Sequence, residues 1–359
     1  YTIWRNLISF CGGSLKNNFG NILKILIKGL NDENNNSINI QIESLRSIGT
    51  MVEFLDNDNE ITTIQNIIPN MVGVIERCLK KGDESNVIKS MEVFNELIES
   101  KIPVLTKHSL KLTKFNLKIA SAKDELPMSV RKQATNYATW MCKSKPKLVI
   151  KHNLIQPFLT LCINLIIESQ ELENEGNNND KPSGAPSNND NGNGDEDTDE
   201  KKDFLSPLGI ACDLLDEIFL NIPSENCFPF AIKAIEQLLV NKTAKQRKSA
   251  YVMMAMMAEG CKEIIKKGDN LSILIKACLK GINDGDKAVR KCSLEAITQF
   301  ATHLHDRIIQ YHKIILPQIF KIFERNNEDI KVKERALGSI EMFLDAYDDI
   351  DDDDDDNND

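Results

Sequence analysis

The sequence predicts an all-α protein built from a repeated helical hairpin. At 359 residues the chain exceeds the size at which one globular core usually stops growing, so several domains or a repeat array are expected. Hydrophobic residues make up 41% of the chain and aromatic residues only 6%, which suits narrow seams between helices filled by Leu, Ile, Ala and Met. One helical segment also recurs three times at a constant spacing. Together these observations favour a repeat array.

The recurring segment carries a cation at positions 43 residues apart, namely Arg247, Arg290 and Lys333. A small residue follows three positions later in each copy, namely Ala250, Ser293 and Ala336. A small side chain at this place lets the second helix of a hairpin approach its neighbour closely. A period near 43 is that of HEAT and armadillo arrays. The expected fold is therefore a right-handed superhelical solenoid of HEAT repeats, an α-α superhelix.

The same pattern extends upstream and predicts seven hairpins with one helix in front of them. The expected domain organisation has four parts: HEAT repeats with a partial first repeat and three and a half hairpins over 1–168, an acidic Asn-rich insertion over 169–203, HEAT repeats over 204–347, and an acidic tail over 348–359. The insertion divides the fourth hairpin, and it is expected to lack regular structure from about Gly176 to Asp199. Because the chain starts at Tyr1 without Met, it is expected to be part of a longer protein.

Charged residues at fixed places in the repeat predict a ladder between hairpins. Asp286 and Asp329 lie four residues before Arg290 and Lys333. In HEAT repeats an acid in the turn and a base one turn into the second helix pair across adjacent repeats, and this sequence resembles that arrangement. The expected ladder residues are Lys89, Arg131, Arg247, Asp286, Arg290, Asp329 and Lys333.

The insertion and the tail, which are rich in Asp, Glu and Asn, together carry a net charge of -17, more negative than the -10 of the whole chain. Without them the remaining chain is mildly basic. Its lysines and arginines are scattered and no basic run is interleaved with aromatic residues, which argues against direct binding of nucleic acid. No apolar run is long enough for a membrane span, and the first residues do not read as a signal peptide.

No sequence pattern of an enzyme or of a cofactor site was found. The chain lacks a Walker loop, GxGxxG, GxSxG and HExxH, so neither catalysis nor a cofactor is expected. His303, His305 and His312 are not expected to bind a metal, because helical residues two apart point in different directions. The nine cysteines include no CxxC pair and lie in apolar helical stretches, which indicates reduced thiols in a reducing compartment.

The amino-acid sequence of the repeats, and not only their period, indicates a family. The stretch from Ser90 to Cys162, together with QRKSAYVMMAMMAEG and DKAVRKCSLEAITQF further along, resembles the importin-β (karyopherin-β) superfamily and its importin-four branch. The resemblance implies a monomeric nuclear import receptor that shuttles between cytoplasm and nucleus. Its implied partners are basic protein cargo such as histones or ribosomal proteins, Ran-GTP and Phe-Gly nucleoporins. The alternative is a HEAT-repeat scaffold of a cytoplasmic or chromatin-associated complex without a transport role.

Under this interpretation the cargo surface consists of acids on second helices, one tryptophan and the insertion. The candidates are Glu96, Glu99, Trp140, Glu171, Glu173, Asp195, Glu196, Asp197, Asp199, Glu200, Asp213, Glu217 and Glu295. The helix acids can also be ordinary solvated residues, and Trp140 can be half-buried packing instead of a platform for a lysine stem. The insertion can equally be a spacer.

Overall fold

The computed structural model describes residues 2–32, 38–179 and 206–355, and every regular element in these ranges is helical. None of the helices described is both long enough and apolar enough to cross a bilayer. The chain divides into two compact units, of which the first comprises residues 1–152 and the second residues 153–359.

Unit 1 contains one leading helix, α1, followed by three antiparallel hairpins. Its helices are α1 (Thr2–Leu15), α2 (Phe19–Leu30), α3 (Ile38–Val52), α4 (Asp58–Lys81), α5 (Glu84–Glu99), α6 (Ser109–Ala120), α7 (Met128–Ser144) and the short α8 (Pro146–Lys151). The hairpins pair α2 with α3, α4 with α5, and α6 with α7. The second helices α3, α5 and α7 also pack against one another in that order.

Unit 2 repeats this arrangement in four further hairpins. Its helices are α9 (Ile155–Asn179), α10 (Pro207–Asn221), α11 (Ser224–Leu239), α12 (Ala244–Gly260), α13 (Lys262–Ile265), α14 (Asn270–Gly281), α15 (Lys287–His303), α16 (His305–Ile308), α17 (His312–Glu324) and α18 (Ile330–Asp355). The hairpins pair α9 with α10, α11 with α12, α14 with α15, and α17 with α18. The predicted all-α HEAT-repeat fold is therefore confirmed.

Local sequence signals explain where the helices begin and end. Asn57 caps α4 by accepting the amide proton of Asn59, and Asp83 caps α5 by accepting that of Asn86. Between these two helices Gly82 adopts a left-handed conformation with φ of +66°, which glycine tolerates at a helix C-terminus. The turn between α4 and α5 is consequently only two residues long.

The shared small residues of the repeat lie at the closest helix contacts, as predicted. Ala250, Ser293 and Ala336 are all completely buried. The Ser293 hydroxyl donates a hydrogen bond of 2.6 Å to the carbonyl oxygen of Cys278 in α14, the first helix of its own hairpin. Ser293 therefore joins the two helices of its hairpin, and Ala250 and Ala336 are buried at the equivalent positions.

Two helices extend further than the sequence pattern indicated. Helix α9 continues to Asn179, so the first part of the predicted insertion is helical, and α18 continues to Asp355, into the predicted acidic tail. A helix already started upstream gains one hydrogen bond for each residue added, which favours continuation into polar sequence. The rest of the segment from Gly176 to Asp199, after Asn179, lies outside the described residues. The compact units divide at residue 152, while the predicted four-part organisation remains a prediction.

Candidate binding site

An arginine of each ladder link holds the turn of its own repeat and an acid of the next one. The Arg247 guanidinium donates to both carboxylate oxygens of Asp284, at 2.7 and 2.8 Å, from Nε and Nη2. Its Nη1 donates to the carbonyl oxygens of Asn241 and Lys242. This pairing lowers the pKa of the Asp284 carboxyl below its ordinary value.

Arg290 repeats the same pattern one hairpin further along. It donates to Glu328 from Nε and Nη2, and Nη1 donates to the carbonyl oxygens of Asp284 and Gly285. The Glu328 side chain is only 1% exposed and also accepts a bond from Arg325 at 3.1 Å. Burial by itself raises the pKa of Glu328, but the bonds from Arg290 and Arg325 outweigh it and lower the pKa.

The acids of the ladder are therefore Asp284 and Glu328, and the prediction of Asp286 and Asp329 is corrected. Asp286 caps α15 by accepting the amide protons of Ala288 and Val289. Asp329 pairs with the exposed Lys287 at 2.7 Å, which is a separate link between the same two hairpins.

The other predicted ladder cations have different environments. Arg131 is buried and donates from Nε to the carbonyl oxygen of Ala120, at the end of the preceding helix. Lys89 is exposed on α5, and Lys333 is half-buried on α18. Neither lysine forms an ion pair with the described residues. The 43-residue pattern therefore identified equivalent positions in the repeat, but it did not always identify a cation that pairs with an acid of the next repeat.

The second helices of unit 2 together form a groove of about 430 Å³, here named the second-helix groove. Helices α10, α12, α15 and α18 supply its lining: Leu208, Cys212, Asp216, Val252, Ala255, Met256, Glu259, Lys291, Cys292, Glu295, Gln299, His303 and Arg335. The lining combines an apolar strip with charged side chains, a composition typical of a binding site for an extended segment.

Carboxylates lie together towards the C-terminal ends of α10 and α12. Burial raises the pKa of the Asp216 carboxyl, and the nearby Glu259, Glu217 and Asp213 raise it further, whereas His303 lowers it. Asp216 and Glu259 both line the groove. The carboxylates at this acidic end repel one another. A cationic side chain bound there would relieve that repulsion.

The remaining part of the groove already contains its own ion pair. Arg335 of α18 donates to Glu295 of α15 at 2.6 Å, and Gln299 donates to the same carboxylate at 3.1 Å. Glu295, a predicted cargo residue, is thus partly neutralised within the protein. Lys291 lines this part as well. The groove therefore has an acidic end and a mixed-charge end, separated by apolar residues such as Met256.

Asp216→Asn is expected to stabilise unit 2 at neutral pH. The folded-state pKa lies above the unfolded value, so the ionised carboxylate disfavours folding at pH 7, and this penalty disappears when the carboxyl is protonated. We expect a gain of up to about 1 kcal/mol, the scale of partly exposed charges. Thermal melts from pH 7 down to pH 4 should show the gain shrinking. The exposed Asp213→Asn is the control, and an equal gain there would contradict the assignment.

Two predicted cargo residues in unit 1 form a second acidic surface. Glu96 and Glu99 of α5 line an open groove with Glu53, which the sequence reasoning did not single out. Burial raises the pKa of Glu96, and the neighbouring Glu92 adds to the increase, while Arg46 opposes it. The surface is less apolar than the groove of unit 2.

Trp140 lies half-buried on α7 and already has a cation of its own. The Nζ atom of Lys143 sits 5.2 Å from the centroid of its ring, within the range of a cation-π interaction. A lysine from another protein would therefore have to displace Lys143 to use this ring as a platform.

The other predicted cargo residues are not brought into the second-helix groove. Asp213 is exposed on α10, and Glu217 accepts a hydrogen bond from Asn221 on the same helix. The side chains of seven predicted acids lie outside the described residues: Glu171, Glu173, Asp195, Glu196, Asp197, Asp199 and Glu200. Within the described part of the chain, no cluster of three or more His, Cys, Asp or Glu side chains could hold a metal ion.

Sequence comparisons show which known proteins this chain is similar to. A family model described as "IPO5-like, TPR repeats" matches residues 1–115. Importin-4 of Homo sapiens is 23% identical over 274 residues, which are 76% of this chain and 24% of the relative. A probable importin subunit beta-4 of Schizosaccharomyces pombe is 20% identical over 281 residues, 78% of this chain and 23% of the relative. In sequence the chain is therefore similar to importin-4 proteins over about three quarters of its length.

Solved structures of Kap121p show the same fold as this chain. The crystal structure of Kap121p bound to Ste12p has a TM-score of 0.73 and 17% identity, covering 89% of this chain and 29% of that one. Kap121p bound to RanGTP has a TM-score of 0.72 and 18% identity, covering 89% and 30%. The chain spans about a quarter of the length of the curated relatives that it matches. Bonds between neighbouring hairpins, such as His108 to Gln65, join residues 43 apart, which is the HEAT period.

Proposed function

We propose that this protein is part of a nuclear transport receptor that carries basic protein segments between cytoplasm and nucleus. The observation that carries the proposal is the second-helix groove, which combines an acidic end with an apolar strip in a chain similar in sequence to importin-4 proteins. Kap121p, whose fold this chain shares, has been solved in complex with Ste12p and with Pho4p. Basic cargo such as a histone tail or a segment of a ribosomal protein is the class that the charges favour.

Charge and shape in the groove favour an extended segment with a lysine or arginine beside aliphatic residues. The cation would lie between Asp216 and Glu259, which come from adjacent second helices. The neighbouring aliphatic side chains would cover Val252, Ala255 and Met256. A cation bound there would attract both carboxylates. This attraction would offset the repulsion among carboxylates that raises the pKa of Asp216.

A double variant, Asp216→Asn with Glu259→Gln, should weaken binding of a lysine-rich peptide to the full chain. Each partly exposed charge pair contributes up to about 1 kcal/mol, so we expect a loss of about fivefold to tenfold. Fluorescence anisotropy with a labelled peptide at low and physiological salt would measure the change. The salt dependence should also become shallower, because fewer ionic contacts remain.

The matched control is Glu236→Gln, which removes a charge from an exposed position on α11, a first helix. It should leave peptide affinity within about twofold of the wild type. Equal weakening by Glu236→Gln would show that only the net charge matters. A wild-type chain that binds no basic peptide at low salt would favour the scaffold alternative over transport.

Two further partners belong to the same proposal. Kap121p has been solved bound to RanGTP, and Ran-GTP is proposed as the regulator of cargo release here. Phe-Gly nucleoporins are proposed to bind between first helices, where an open groove between α4 and α6 is lined by Leu79, Phe115, Ile119 and Leu126. The proposed localisation follows from these contacts and is shuttling between cytoplasm and nucleus.

A further inference from the structure

We propose that Cys227 and Cys261 form an oxidisable dithiol, a modification site whose disulfide shifts the acidic end of the second-helix groove. The second part of this statement rests on the proposed function, whereas formation of the disulfide does not. The two residues belong to one hairpin, because Cys227 lies in the first turn of α11 and Cys261 directly follows α12.

The two thiols already touch. Their Sγ atoms are 3.9 Å apart, and both side chains are completely buried. A disulfide requires about 2 Å between the sulfurs, so the atoms must approach by roughly another 2 Å. Both residues lie at helix ends, where local opening costs less than in the middle of a helix. A small change at these ends is therefore sufficient to form the bond.

The electrostatic environment identifies the sulfur that reacts first. A hydrogen bond from the Cys261 thiol lowers the pKa of Cys227, although burial opposes this effect. Backbone N–H groups of the first turn of α11 lower it further. Cys261 has a raised pKa because of the same bond and its own burial. Because Cys227 also lies in the first turn of α11, where a helix N-terminus stabilises a thiolate, we assign it as the nucleophile and Cys261 as the resolving thiol.

With hydrogen peroxide as the oxidant, the reaction proceeds in two balanced steps. The Cys227 sulfur attacks one peroxide oxygen, the O–O bond breaks, and the thiol proton leaves with the other oxygen as water, giving a sulfenic acid. The Cys261 sulfur then attacks the Cys227 sulfur, the S–O bond breaks, and a second water takes the Cys261 proton. The two thiols lose two electrons in total and the peroxide gains them.

Backbone packing connects this bond to the groove. Gly260 lies so close to α10 that a Cβ atom there would be 2.2 Å from the carbonyl oxygen of Phe219. Glu259, which lines the groove, immediately precedes Gly260. Because Gly260 has no free space against α10, it cannot absorb a movement of Cys261 towards Cys227, and we expect that movement to be transmitted to Glu259, two residues away. The disulfide therefore changes the spacing of Glu259 from Asp216.

The first test is disulfide mapping on the full chain. Diamide, a thiol-selective oxidant, should produce a peptide cross-link between Cys227 and Cys261 in the wild type, and one equivalent of hydrogen peroxide should produce the same cross-link. Cys227→Ala and Cys261→Ala should abolish it. Cys278→Ala removes another fully buried thiol and should leave it intact. No cross-link in the wild type, or cross-links distributed among other cysteines, would overturn the proposal.

The second test measures the groove after diamide treatment. The ¹³C-methyl NMR signal of Met256, assigned with Met256→Leu, should shift, and affinity for the lysine-rich peptide should fall about fivefold or more, the lower end of typical coupling between sites. Cys227→Ala should show neither change. A cross-link that leaves the Met256 signal and the affinity unaltered would refute the coupling. If the reduced protein binds no peptide, the proposed function fails, and the Met256 signal still decides the coupling.

Discussion

Replacing Arg290 with alanine is expected to destabilise unit 2 by about 3 kcal/mol, because the buried carboxylate of Glu328 loses the guanidinium that pairs with it. Glu328 would keep the bonds from Arg325 and from the Asp329 amide, and the carbonyl oxygens of Asp284 and Gly285 would lose the Arg290 donor. Thermal melts and hydrogen exchange across α15 and α18 would measure the loss.

The control for this variant is Lys287→Ala, which removes an exposed link between the same hairpins. The Lys287 side chain is 69% exposed, and an exposed pair contributes about 0 to 1 kcal/mol. If Arg290→Ala melts like Lys287→Ala, then the ladder does not carry the junction.

The pair of Arg290 and Glu328 also makes the stability of unit 2 depend on pH in the acidic range. The pKa of Glu328 is lowered in the folded state from an ordinary value of 4.5, so its contribution is present above that pH and is lost as the pH falls through the folded pKa. In Arg290→Ala this loss should begin at a higher pH.

Gly260→Ala is expected to destabilise the chain by more than about 2 kcal/mol, because the new methyl group would meet backbone atoms that cannot rotate away. The nearest atoms are the carbonyl group of Phe219 and the amide nitrogen of Leu220, both in α10. Accommodating the methyl group requires α10 and α12 to separate, which also widens the second-helix groove. Differential scanning calorimetry would measure the change.

Gly338→Ala provides a matched control for this effect. Gly338 lies inside α18, and a Cβ atom there would meet nothing within 4 Å. Alanine favours the helix by about 1 kcal/mol over glycine, so this variant should melt higher than the wild type. If both variants lowered stability equally, the close approach at Gly260 would not be the cause.

The fold could be predicted from the sequence because it depends on the spacing of the repeats, and this spacing can be read directly from the amino-acid sequence. The period that aligned Arg247 with Arg290 also identified the small buried residues of the hairpin seams. The acids could not be assigned in the same way, because Asp284 and Asp286 lie in one turn and either can reach an arginine. Only the structure shows that Asp286 caps α15 and Asp284 pairs with Arg247.

The groove residues depended on a finer property, the rotation of each second helix about its axis. Successive helical residues differ by about 100° in direction, so an error of one position changes the surface that a side chain faces. The prediction selected Asp213 and Glu217, whereas Asp216 between them lines the groove. Glu259 could have been found as the acid near the end of α12, in the second helix of the next hairpin.

The ladder also has a mechanical consequence for unit 2. Its polar links between hairpins join residues 37 to 45 positions apart among the residues described, so each link connects only adjacent hairpins. Force applied along the unit must therefore pass through the junctions one after another, and each yields by a small rotation. The groove extends over four consecutive second helices, so these rotations add up across it. The width of the groove therefore depends on the flexibility of every junction in the unit. Stiffening one junction changes the width of the groove at the other junctions as well.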